Sequence, residues 1–103
     1  MKDYFYLNPS RMVEVTRKLG NGELKMLWAV IYCLATTGEP VFINNARNRE
    51  IMAEGGFART PERTSALLSF LVKKGILKRE ANAVFSVPKG LFMTADEYEQ
   101  TKP

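Results

Sequence analysis

ARTPERTSALLSFLVKKGIL, residues 58–77, is the stretch on which the reading of this chain turns. Thr60 can cap a helix with its hydroxyl, Pro61 suits the first helical position, and Gly75 can close the far end. Past that glycine, Ile76 is expected to fold back on Leu71, the apolar contact that accompanies a glycine-closed helix. Between the caps, Leu67, Leu68, Leu71 and Val72 recur at helical spacing and make one apolar face. The other side begins with Arg59, Thr60, Glu62, Arg63, Ser65 and Ser69, a mixture of guanidinium, carboxylate and hydroxyl groups. An ordinary solvated helix start would carry similar residues. Arg63 speaks against that reading. It falls in the first turn, where the macrodipole disfavours a cation and a Glu would complete a capping box. The stretch reads as a helix whose outer face is kept for recognition.

The totals set the frame. At 103 residues the chain is expected to form one domain with a modest core, and its 46% hydrophobic content is ordinary for a globular protein. No apolar run reaches membrane-spanning length, and the most apolar stretch, residues 26–35, reads as a buried helix. The opening MKDYFYLNPS lacks the charged-then-apolar pattern of a secretion signal, and Cys33, the single cysteine, cannot form an internal disulfide. Both point to a cytoplasmic location. There is no histidine, so the commonest general base and the commonest zinc ligand are missing. With no evident carboxylate pair either, neither enzyme activity nor a metal or small-molecule cofactor is expected. The net charge of +4 is unevenly spread: residues 44–80 hold eight Lys/Arg against four Asp/Glu, and residues 90–103 are net acidic. A basic middle with an acidic tail held away from it suits a polyanion-binding centre.

Taken in order, residues 3–7 (DYFYL) read as a short strand or an arm. Asn8-Pro9 starts a helix in which Met12, Val13, Thr16 and Leu19 align until Gly20. A second helix over residues 23–37 carries the stripe Leu24, Leu27, Trp28, Ile31, Leu34 and Ala35. Met26, Val30 and Cys33 widen its apolar surface, so it reads as the central core helix, with Cys33 and Trp28 as packing residues. Gly38 and Pro40 end it, and Val41-Phe42-Ile43 makes a short strand. Asn45 caps a short helix over residues 46–54, whose inward side is Ile51 with Met52 or Ala46. Gly55-Gly56-Phe57 is a tight turn with one apolar anchor. Residues 77–79 and 84–87 read as two strands joined around Ala81-Asn82-Ala83, and Pro88 stops the second. Thr94 opens a short polar helix or a frayed end.

Helix, helix, strand, short helix, glycine turn, capped helix, hairpin is the order of a winged helix-turn-helix: mainly α with a small β-hairpin. Residues 1–8 would be an arm, 9–37 the core helices, 41–87 the helix-turn-helix and wing, and 94–103 an acidic tail. Residues 41–87 resemble the winged helix of many bacterial transcription regulators, MarR-like ones among them. The resemblance rests on V-F-I-N, N-R-E-I-M-A-E-G-G-F-A-R-T-P and L-x-x-L-V-K-K-G-I-L-K-R-E. A closer likeness is to RepL-like plasmid replication initiators, through Y-F-Y-L-N-P, G-x-L-K-M-L-W and A-V-F-S-V-P-K-G-L-F. In the last string Ser86-Val87-Pro88 keeps that family's Pro but not its Asn. The resemblance implies binding of double-stranded DNA, in replication or transcription control of a plasmid or other mobile element.

On that reading Arg59, Thr60, Arg63 and Ser65 face the major groove, Arg being suited to guanine. Asn45 and Arg47 meet a phosphate at the start of the short helix, with Arg49 as a weaker second anchor, and Lys78, Arg79 and Asn82 carry the wing. Lys73 and Lys74 sit where the dipole alone favours cations. A symmetric homodimer is expected, because Tyr4, Phe5, Tyr6 and Leu7 supply apolar surface beyond what one domain covers. The alternative lays this arm over Trp28 of its own domain. For the whole chain, the alternative class is a winged-helix docking module in a larger assembly.

Overall fold

The computed structural model describes residues 4–101; residues 1–3, with Asp3 of the expected arm, and residues 102–103 of the expected tail lie outside them. In chain order the elements are β1 (Tyr6–Leu7), α1 (Pro9–Lys18), α2 (Asn21–Thr37), β2 (Phe42–Ile43), α3 (Ala46–Glu54), α4 (Pro61–Lys73), β3 (Lys78–Ala81), β4 (Val84–Ser86), β5 (Phe92–Met93) and α5 (Ala95–Thr101). The class is α+β, as the sequence suggests, with five helices and two small antiparallel sheets among the described residues.

α2 is the centre. Leu27, Ala29, Val30 and Ile31 have no exposed surface, and Met26, Cys33 and Leu34 have almost none, so the helix is buried on more than one side. Full burial of each large aliphatic side chain contributes roughly 1.5–3 kcal/mol, and α3, α4 and β2 all pack on α2 to provide it. The helix begins at Asn21, two residues earlier than the sequence suggests, because the Glu23 carboxylate accepts the Gly20 N–H (3.1 Å) and stabilises that first turn. Trp28 and Leu24, counted in its stripe, are only half-buried.

α4 is built as its sequence dictates. Thr60 Oγ1 accepts the Arg63 N–H at 3.1 Å, and Pro61 occupies the first position. At the other end Ile76 N–H donates to Leu71 O and Gly75 N–H to Val72 O, both at 2.9 Å. This is the glycine-closed end in full, with Gly75 at φ +75° and Ile76 and Leu71 both buried. The inner face is Leu67, Leu68, Leu71 and Thr64, whose hydroxyl donates to Thr60 O (2.9 Å). Val72 lies only half in the core.

β2, β4 and β3 form one sheet in that order, with Phe42 opposite Phe85. The hairpin turn is Asn82-Ala83, and Ala83 takes φ +61°. β3 runs to Ala81, with a bulge between Arg79 and Ala81, and β4 stops at Ser86.

At several positions the structure decides between readings or departs from the sequence pattern. Val13 is 50% exposed, and α1 buries Met12 and Val15 instead, one turn-spacing apart. In α3 the inward residues are Met52 and Asn48, with Ile51 only half-buried. The arm is a short strand that lies back on its own domain, where Tyr6 and Leu7 pair with Met93 and Phe92 of β5, a strand that the sequence pattern did not reveal. The tail is a capped helix and not a frayed end, since Thr94 and Glu97 cap α5 reciprocally (3.2 and 3.0 Å) and Leu91, Phe92, Thr94 and Ala95 are buried.

Candidate nucleic-acid interface

The basic middle of the chain folds into α3, α4 and the β3–β4 hairpin, and Asn44, at the end of β2, joins all three. Its amide Oδ1 accepts from Arg49 Nη1 of α3 (2.9 Å), and its Nδ2 donates to Ser65 Oγ of α4 (3.1 Å). Its backbone N–H donates to Ala83 O in the hairpin turn (2.8 Å). Behind it, buried Asn48 donates its amide to Ile43 O at 2.7 Å, which fixes the bend from β2 into α3. The turn between α3 and α4 is equally tight. A side-chain carbon on Gly55 would lie 2.5 Å from the Tyr32 ring, so this glycine serves close approach, and Phe57 leans on the same ring at 6.0 Å.

The sequence-derived residues fall into three groups. Arg59, Arg63 and Ser65 are exposed at the start of α4. Arg59 donates to its neighbour's carbonyl, Ala58 O (2.7 Å), and Arg63 Nη2 reaches within 3.4 Å of where a side chain on Gly22 would begin, beside the first turn of α2. Neither arginine is in an ion pair among the described residues. The second group is the hairpin. Arg79 lies over Phe85 (4.8 Å to the ring centroid) and donates to Ser69 Oγ of α4 at 3.3 Å. Lys78 stands 3.8 Å from the Glu80 carboxylate, and Asn82 is exposed in the turn.

The third group is occupied locally. Thr60 and Asn45 spend their side-chain oxygens as helix caps, Asn45 accepting from Asn48 N–H at 2.9 Å. Arg47 pairs with Glu39 at 3.1 Å, across from the loop that leaves α2. Both partners remain well exposed, and such a pair is worth at most about 1 kcal/mol.

Asn44 is not among the residues that the sequence pattern singles out. Its signal was the Asn44-Asn45 pair before α3: only one of two adjacent amides can cap, and the other was left without a use. A cleft of about 280 Å³ between the end of α2 and the start of α5, lined by Thr36, Gly38, Thr94 and Asp96 among others, contains none of the sequence-derived residues. Among the described residues no group of three or more His, Cys, Asp or Glu could hold a metal, and no helix is long and apolar enough to cross a membrane. Burial pushes the Cys33 thiol up to about 11, so it stays protonated at neutral pH.

No family model, curated protein or solved structure matches this chain.

Proposed function

We propose that the chain is a winged helix-turn-helix protein that binds double-stranded DNA. The single observation carrying this reading is that Arg59 and Arg63 stand exposed and, among the described residues, without ion pairs at one end of α4, flanked by a hairpin that presents Lys78 and Asn82. On this reading α4 enters the major groove with Arg63 and Ser65 toward base edges, and the hairpin meets the phosphates beside it. Arg63, next to the first turn of α2, also lies where that helix's amides favour an anion. Arg47 contributes as a phosphate anchor only by leaving Glu39, so its share is small.

The likeness to RepL-like initiators favours replication or transcription control of a plasmid or other mobile element, in the cytoplasm and without catalysis or cofactor. Two copies acting together fit the same reading. One recognition helix reads too few base pairs to find a site in a genome, and Tyr4, Phe5 and Val13 leave apolar surface exposed. The two-residue hairpin turn favours one other reading, a protein-docking winged helix, because so short a wing reaches little of a groove.

Selection from random duplexes tests the proposal. A recovered site, with two half-sites about one turn apart if the protein pairs, is the expected result. A pool no different from the starting one at low salt would contradict it.

A further inference from the structure

A hydrogen-bond chain of fixed direction runs from α3 to the outer face of α4. A guanidinium can only donate, so the Asn44 atom 2.9 Å from Arg49 Nη1 must be the carbonyl oxygen. That sets the other end of the amide: Nδ2 faces Ser65 Oγ at 3.1 Å, and an NH₂ group there donates. The Ser65 oxygen therefore accepts, and its own O–H remains to be used. Ser65 is exposed, and among the described residues it donates to no protein group. The Asn44 backbone is itself held, its N–H donating to Ala83 O in the hairpin turn, while Arg49 and Ser65 orient the side chain.

We infer that Asn44 is a positioning residue that fixes Ser65 as a hydrogen-bond donor toward an acceptor on the duplex. The inference rests on the duplex-binding reading and adds to it the polarity of one contact. The acceptor is a phosphate oxygen or a base-edge acceptor such as guanine O6 or N7, or thymine O4. At a base edge, a donor so fixed disfavours the amino groups of adenine and cytosine.

The test uses four full-length proteins: the parent, Ser65→Ala, Asn44→Asp and the double variant. Each is titrated against a selected duplex and against copies of it changed at single positions. In Asn44→Asp the carboxylate still accepts from Arg49 but also accepts from Ser65, turning that hydroxyl inward. Ser65→Ala is expected to weaken binding about fivefold in the parent and less than about twofold in the Asn44→Asp background. The added negative charge acts on all duplexes alike and cancels in this comparison. A loss confined to one base pair identifies a base-edge acceptor; an equal loss on every duplex identifies a phosphate. Should Asn44→Asp melt early, Arg49→Met takes its place, because without the guanidinium the amide is free to turn over. No loss on Ser65→Ala in the parent, or the same loss in both backgrounds, overturns the inference while leaving duplex binding intact. A parent that binds no duplex at low salt overturns both.

Discussion

The two small sheets of this chain treat charge in opposite ways. β1 and β5 bring the two ends of the chain together, and their surroundings spend polar groups internally. The Tyr4 hydroxyl donates to Glu99, which raises its pKa, Tyr6 stacks on Tyr98, and Phe5 leans on Phe92 at 5.5 Å. The β2–β4–β3 sheet also joins distant segments, but its neighbourhood leaves Arg59 and Arg63 exposed, with no ion pair among the described residues, and only partly offsets Lys78 through Glu80. Asp96, Glu97 and Glu99 lie where the chain closes on itself, and Arg59 and Arg63 stand exposed at the start of α4. A clasp and a contact face are different uses of the same kind of pairing.

If that division holds, damage to the clasp should cost stability and spare binding, and damage to α4 should do the reverse. Phe92→Ala removes a ring that is 2% exposed and should lower unfolding free energy by about 3–5 kcal/mol in urea, with duplex affinity unchanged for the folded fraction. Gly55→Ala forces a carbon against Tyr32 and should cost about 1–3 kcal/mol by the same measurement. It sits behind the contact face, so weaker binding should accompany the loss. Arg63→Ala should leave thermal melting in place and lower affinity for the preferred duplex by about 1–3 kcal/mol, relaxing one base position. A variant that melts early instead would place Arg63 in the scaffold beside Gly22. Smallest is the Arg47–Glu39 pair: Arg47→Ala should reduce the salt slope by about one unit, and Glu39→Gln should tighten binding by at most about 1 kcal/mol.

How far the sequence carried depended on distance along the chain. The caps of α4 were legible because Thr60, Pro61 and Gly75 act within a turn of themselves. The core of α2 was legible because its apolar residues repeat around the helix. β5 was not, since Phe92-Met93 is two residues long and exists only by pairing with residues 6–7 at the far end. Gly55 reads as a turn residue until Tyr32 arrives beside it from α2. Among the candidate residues, Thr60 and Asn45 are legible as caps, and that role engages one acceptor site on each of the side-chain oxygens also expected on DNA. Asn44 depends on three elements meeting at one amide, and no local pattern announces that.

The central claim is that the exposed cations around α4 form a face for duplex DNA. It is tested most directly by titrating a labelled duplex with the full chain at several salt concentrations, beside the variant Arg59→Ala/Arg63→Ala. The account predicts that log K for the parent falls linearly with log salt, by about 0.9 per phosphate contacted, and that the double variant binds more weakly with a shallower slope. Absence of binding at low salt, or a slope identical in parent and variant, would contradict it.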